Sequence, residues 1–400
     1  MTSTPRRNPW LFLAIFSLGF CARIVYSALA VDVNARLQDD ASQFDFIGWR
    51  LAQGMDYVAQ DGYRTHRAPA QSLLLAGTYA VFGHDWSAGR VVMAGLGAAT
   101  GVLVTDIGWL LFGMQVGVAA GLTWAMFPYS LFFCGTLLSE PLCALFGALS
   151  ICSLIRLRQN PAWIAAWAAF SALCTLTRPN MGILFILGLG WVAYKFRPRW
   201  LGCALGVAVF AACVLPWTVR NYRVHGTFVP ITTMGGVVLW EANNPYVLAD
   251  PALIGRAAHA PDLPEGRLAD GLSEVEEDSL DFHLALDFIR SHPGALPRLV
   301  AQKLRNLFNP FPHTPSVAPQ RIAIIFVPIM LFLLLAGMVA IMHRKDIHAI
   351  PVLLPIAAVL ATAIVYWADA RIRAPADPEI VLVCVYGAHF LLGRRWFHRP

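Results

Sequence analysis

A few carboxylates and several guanidiniums stand at the borders of long apolar runs, where ionisable groups are costly and tend to mark sites. Asp39 and Asp40 follow the first apolar run, His66 and Arg67 precede Ala68-Pro69, and Glu140 opens a further run in GTLLSEPLCALF. Arg178, Arg220, Arg371 and Arg373 each lie at the edge of an apolar run. A carboxylate at a membrane–water boundary can take a proton as a general base, the role Asp40 would fill with Asp39 beside it. The plainer alternative is a helix-capping Asp, because a helix dipole favours an anion at its first turn. Glu140 has the same two readings, a helix-terminal Glu or a second carboxylate facing Asp40 across a cavity. Isolated surface basics are usually solvated or touch lipid headgroups. Arginines gathered on one face instead suit an anionic ligand, because the guanidinium fork pairs bidentately with phosphate.

The elements that must position these residues are apolar helices. Of the 400 residues, 57% are hydrophobic and 14% charged, against about 45–50% and about 25% in a soluble domain. A soluble multidomain enzyme is therefore excluded, and 24 Phe, 13 Trp and 10 Tyr are too many for a disordered chain. A crossing takes about 20 apolar residues, and ten such runs are present, at 10–31, 89–112, 114–133, 137–155, 161–176, 180–194, 200–219, 321–342, 349–367 and 378–392. The segment 71–83 is an eleventh candidate, too short for a clear crossing. The first run follows Arg6 and Arg7 like a signal sequence but is long enough to stay as an anchor. All eight cysteines fall in or beside apolar runs without ligand spacing, which predicts small buried hydrophobes and no disulfide framework.

Charge decides the expected orientation. With the N-terminus inside and 71–83 not crossing, four basic loops or tails face the cytoplasm. They carry Arg156 with Arg158, then Lys195, Arg197 and Arg199, then His343, Arg344 and Lys345, and finally Arg394, Arg395 and Arg399. A crossing at 71–83 would turn all of them outward, so that segment is expected to be re-entrant or interfacial. Two large segments then face out, about 32–90 and about 220–321, and the unusual boundary residues collect on their side.

Phe44, Ile47 and Leu51 follow Asp40 at four, seven and eleven residues, the stripe of a helix lying along the membrane surface. In the second outward segment, Gly235-Gly236 and Asn243-Asn244-Pro245 mark turns, and VVLW between them predicts a short strand or extended run. From Asp281 to Phe308 the pattern is helical with breaks at Pro293 and Pro297; its apolar residues with Lys303 and Arg305 predict amphipathic helices on the outer leaflet. The acidic stretch from Glu274 to Asp278 is expected to be a solvated linker. The chain has no P-loop, no GxGxxG, no GxSxG, no HExxH and no CxxC, and its basic residues form no single soluble patch. Nucleotide-driven pumping and nucleic-acid binding are not indicated.

The order of these features resembles the GT-C superfamily of polyprenyl-phosphate-sugar-dependent glycosyltransferases. The likeness is to family 39, with the dolichyl-phosphate-mannose protein mannosyltransferases, and to the lipid A aminoarabinose transferase. It rests on Asp39-Asp40 after the first run, Arg67-Ala-Pro leading into SLLLAGTYAVFG and Arg90, SEPL at 139–142, TRP at 177–179, PWTVRNYRVHGTFVPITTMGG at 216–236, NNP at 243–245 and RIRAP at 371–375. The resemblance implies an all-α polytopic bundle of about 10–11 transmembrane helices with outward amphipathic loop helices. It implies a transmembrane catalytic module over 1–219 including outward loop one (32–90), a second outward loop over 220–320, and C-terminal transmembrane helices over 321–400. It also implies transfer of a sugar with inversion, outside the inner membrane, from a polyprenyl-phosphate donor to a lipid, glycan or protein acceptor. Asp40 matches the base position with Asp39 as neighbour. His66, Arg67, Arg178, Arg220, Arg371 and Arg373 are the candidates to hold the lipid phosphate, with Glu140 also at the substrate. Some relatives place a divalent metal near the acidic loop, although Asp39, Asp40, Asp45 and Glu140 do not form a metal motif by spacing. The alternative is a transporter or flippase that binds the same anionic lipid without chemistry.

Overall fold

The computed structural model describes residues 8–30, 37, 39–195, 199–309, 317–344 and 347–396. Arg6, Arg7, Arg197, Lys345 and Arg399 of the charge argument lie outside them. The described residues form helices and turns with no strand. The α-helices in order are α1 (Pro9–Ala30), α2 (Asp39–Ala52), α3 (Pro69–Phe82), α4 (Trp86–Phe112), α5 (Met114–Ala125), α6 (Pro128–Cys134), α7 (Glu140–Arg156), α8 (Trp163–Thr177) and α9 (Gly182–Lys195). They continue with α10 (Arg199–His225), α11 (Gly235–Ala242), α12 (Pro245–Ala249), α13 (Glu274–Ser291), α14 (Leu296–Leu307), α15 (Val317–Arg344), α16 (Leu354–Val365), α17 (Ala370–Arg373) and α18 (Asp377–Trp396).

The protein is an all-α polytopic membrane protein. Among the described residues six stretches are long and apolar enough to cross a bilayer: α1, α4, α10, α15 from Phe326, α16 together with the helical turn that leads into it, and α17 with α18. A seventh forms if α5 and α6, bent by 49°, count as one. The other three expected runs fold as α7, α8 and α9, of 17, 15 and 14 residues. At ~1.5 Å per residue these fall short of a ~30 Å hydrocarbon core, so length alone gives fewer full crossings than the run count. Large apolar side chains such as Leu205 and Leu215 on α10 and Leu335 and Val339 on α15 point outward, as lipid contact requires. Five of the cysteines are buried, whereas Cys21 is exposed and Cys203 and Cys213 are intermediate, so these three depart from the expected core position.

Local signals set the boundaries. Asp85 caps α4 by accepting from the Ser87 amide at 2.7 Å, and Ser273 with Glu276 forms a capping box at α13. The break between α5 and α6 interrupts the helical hydrogen bonds inside an apolar bundle, where the Trp124 carbonyl still accepts from the Phe127 amide at 3.2 Å. Arg23 of α1 is fully buried there and donates to the carbonyls of Ala125 (3.4 Å) and Trp124 (3.3 Å).

The segment between α10 and α15 has its own apolar core, built on Val237, Trp240, Val247, Phe288 and Leu299. Three expectations are corrected here. VVLW is helical, part of α11, because Asn243 and Asn244 donate to the carbonyls of Leu239 (2.9 Å) and Trp240 (2.8 Å) and end a helix that the Gly pair begins. A Cβ at Gly236 would overlap the Asp278 carbonyl, so α11 and α13 can pack closely only with glycine there. Lys303 is buried, not at a lipid surface: its ammonium donates to Asn243 Oδ1 at 2.8 Å and to the Val365 carbonyl at 3.2 Å, and burial pulls its pKa down to about 8. The stretch from Glu274 to Asp278 is the first turn of α13 and is bound on both sides. Glu274 accepts from the Thr65 amide (3.0 Å) and Thr233 Oγ1 (3.1 Å), and Asp278 accepts from the Gly236 amide (2.6 Å).

Candidate active site

Asp40 stands in the first turn of α2. Its two carboxylate oxygens accept from Arg67 Nη2 and Arg371 Nη2, each at 2.8 Å. Glu140, in the first turn of α7 and 1% exposed, accepts at one oxygen from Arg371 Nε (2.8 Å) and Arg178 Nη1 (3.0 Å). Arg371 thus bridges the two carboxylates. Three guanidiniums against two carboxylates leave this chain of ion pairs with a net positive charge. The second oxygen of Glu140 is buried without a hydrogen-bond partner among the described residues.

Each of these side chains is aimed by local structure. Asp369 accepts from the amides of Arg371 (2.7 Å) and Ile372 (3.3 Å), which fixes the short turn α17. Arg178 stands in extended backbone between α8 and the turn Pro179–Met181, and also reaches Ser139 Oγ at 3.4 Å. Arg67 lies just ahead of Pro69, which begins α3, and its Nε donates to Gln43 Oε1 at 2.6 Å. Thr65, Thr233 and Glu274 tie this loop to α13.

Burial alone would raise the Asp40 pKa, but the charges of Arg67 and Arg371 outweigh it and hold the carboxyl at about 2. His66 stacks on Tyr63 with ring centroids 3.7 Å apart. Burial, then the Arg67 charge, lowers its pKa to about 3, so it is neutral at pH 7 and can offer a hydrogen bond but no cation. Its Nε2 has no partner among the described residues.

A cavity of about 510 Å³ opens on this cluster. Asp40, His66, Arg67, Ser139 and Arg178 line its polar end. Ile183 and Ile186 of α9, Val238 of α11, Trp367 and Ile372 form an apolar wall. Ile186 is 66% exposed, so the wall continues onto the outer surface of α9. Trp367 Nε1 is buried without a partner among the described residues.

Of the residues expected at the site, Asp40, Arg67, Glu140, Arg178 and Arg371 form one network, and His66 joins them at the cavity. Asp39 is exposed with φ 48°, and its carbonyl accepts from Ser42 Oγ at 2.8 Å. Arg220 stands apart: it donates to the carbonyls of Arg64 (2.7 Å) and Tyr57 (2.9 Å) and stacks over Trp217 and Tyr57. Arg373 is fully buried on Asp377 (2.7 Å) and over the Tyr129 ring. Neither is among the described residues that line the cavity. Trp367, Asp369 and Gln43 were not anticipated; the proximity of Trp367 and Asp369 to Arg371 in YWADARIR was the one available signal.

Among the described residues no three His, Cys, Asp or Glu side chains come together as a metal site. Asp40 and Glu140 are taken up by arginines, so this donor set does not fit a divalent ion.

No protein-family model matches the chain, and no curated protein matches it in sequence. Solved structures do match. The oligosaccharyltransferase of Archaeoglobus fulgidus in its apo form aligns with TM-score 0.60 and 12% identity, over 96% of this chain and 51% of that one. The archaeal oligosaccharyltransferase AglB from Archaeoglobus fulgidus, in complex with an inhibitory peptide and a dolichol-phosphate, aligns with TM-score 0.57 and 12% identity, over 97% and 51%. ArnT from Cupriavidus metallidurans bound to undecaprenyl phosphate gives TM-score 0.45 and 14% identity, over 96% and 77%. The chain spans about half the length of the oligosaccharyltransferase chains it matches. Its helical bundle shares the fold of these oligosaccharyltransferases over 96–97% of the present chain.

Proposed function

We propose that the protein is an integral membrane glycosyltransferase that moves a hexose or pentose, with inversion, from a polyprenyl-phosphate donor to an acceptor hydroxyl at the outer face of the inner membrane. The observation that carries this reading is the cavity in which Asp40 lies between two arginines at one end and an apolar wall runs along α9 at the other. A polyprenyl phosphate has that same division, an anionic head on a long apolar tail. The bound dolichol-phosphate of AglB, on the same fold, supports the assignment.

In the reaction Asp40 takes the proton of the acceptor hydroxyl, the acceptor oxygen bonds to the anomeric carbon, and the bond from that carbon to the phosphate oxygen breaks. Charge develops on the departing phosphate. Arg67 and Arg178 line the cavity and stabilise it, and fixed cations in a half-dry site do so most effectively. Arg371 acts through Asp40 and Glu140 and positions them. The neutral His66 and the indole N–H of Trp367 offer hydrogen bonds to the sugar. With a carboxyl held at about 2, Asp40 is a poor base in the free protein. When phosphate draws Arg67 away, one of the three cations holding that carboxyl down, Arg67, Arg371 and Arg178, is lost, and the base strengthens as the donor binds.

The test is release of free prenyl phosphate from a panel of prenyl-phosphate sugars by the purified protein. Asp40→Asn should abolish transfer while the protein still folds, and retained transfer would remove Asp40 from the base role. Binding of donors with no release from any of them would favour a flippase.

A further inference from the structure

A second cavity, of about 360 Å³, lies at the opposite end of α7 and α9 from the proposed active site. α9 begins at Gly182, which lines the first cavity, and ends at Lys195, which lines the second. The two are separated by roughly 20 Å, the length of that helix at ~1.5 Å per residue. Two cations and a histidine from three separate segments line the second cavity: Arg158 after α7, Lys195 at the end of α9, and His348 in the turn before α16. Its apolar floor includes Leu154, Trp191 and Pro351. No acidic residue is among its described lining residues.

Basic residues at this end of the bundle agree with the positive-inside pattern, and cations at helix C-termini are favoured by the dipole without any ligand. Neither effect makes three segments converge on one cavity. Arg156, close by in sequence, shows the alternative arrangement: it pairs with the carboxylate of Asp106 and stacks on Trp163. Lys195 instead rests over the rings of Trp191 and Tyr194, at 5.9 and 5.8 Å. That places an ammonium on an aromatic belt of the kind found at lipid headgroup level.

We infer that this cavity binds a phosphate-bearing anion at the membrane face opposite the active site, the headgroup of an anionic phospholipid whose acyl chains continue along the apolar floor. A cavity of this size falls within the range of small-ligand sites. Basic pockets between transmembrane helices select such headgroups by charge. The inference does not rest on the proposed sugar transfer.

Native mass spectrometry of the delipidated, detergent-solubilised full chain, titrated with phosphatidylglycerol or with phosphatidylcholine of the same acyl chains, tests it. The first phosphatidylglycerol should bind more tightly than the first phosphatidylcholine. Arg158→Gln combined with Lys195→Gln should weaken it by about tenfold or more and leave phosphatidylcholine unchanged. Lys195→Arg, which keeps the charge, should retain binding, and unchanged thermal melting should show that the variants fold. Inorganic phosphate binding that depends on the same two residues would support the site and identify its ligand as a soluble phosphate. Equal phosphatidylglycerol affinity in the wild type and the double variant, or no preference over phosphatidylcholine, would overturn the inference.

Discussion

Asp40 and Arg371 carry the sharpest consequences at the scale of single residues. The folded protein holds the Asp40 carboxyl at about 2, below the ordinary carboxylate range. The associated stability is complete above pH ~4, the unfolded value, and is lost as pH falls toward about 2. In free enzyme Asp40 therefore stays ionised throughout the neutral and mildly acid range. If the donor phosphate competes for Arg67, the acid limb of kcat should lie at higher pH than that of kcat/KM. Coincident limbs would argue against such competition. Arg371→Ala would leave Glu140, whose side chain is 1% exposed, with Arg178 as its one remaining ion-pair partner among the described residues, and take one partner from Asp40. Because each carboxylate keeps one guanidinium, the cost should fall below the about 3–5 kcal/mol of an uncompensated buried charge, which chemical denaturation would read. The types of these residues were legible in the sequence, but their pairing was not. Asp40 and Arg371 are 331 positions apart, and nothing local distinguishes Arg371 at the centre of the site from Arg373, which is sequestered by Asp377.

At the scale of elements, the site depends on contacts between short helices outside the spans. Glu274, in the first turn of α13, accepts from the amides of Arg64 and Thr65 and so anchors the loop that carries His66 and Arg67. Glu274→Ala should release that loop, seen as faster hydrogen exchange at the amides of Arg64 and Thr65, with exchange in α4 unchanged. If the loop amides stay protected, other contacts hold it. Gly236→Ala should push α11 away from α13, at a cost of about 1–3 kcal/mol, and displace Val238 from the cavity wall. Donor KM should rise more than kcat falls. Helix starts at Asp39, Pro69 and Glu140 were readable from acidic residues, Pro and apolar runs. The helicity of VVLW was not, because Val-rich runs of four residues suit strands equally well until the following Asn pair is seen to cap them.

For the molecule as a whole, the arrangement of basic loops predicts opposite exposure of the two ends of α7. Single cysteines at Asp61, in loop one, and at Gln159, after α7, should react oppositely with a membrane-impermeant maleimide on intact cells, Asp61 labelled and Gln159 protected. The reverse pattern would place the proposed active site on the inner face. The apolar runs alone determined that this chain is a helical membrane bundle, since a 57% hydrophobic composition in stretches of 15 to 25 residues leaves no other way to satisfy the backbone. With the basic loops, they led to the expectation that the unusual boundary residues collect on one side, because ionisable groups are costly in hydrocarbon. Only the tertiary structure decided which exceptions meet. Ion pairs form over a few ångströms, and whether a given arginine falls within that reach of Asp40 or of another acid depends on how turns far apart in sequence, α17 and the loop before α3 among them, are brought onto one cavity.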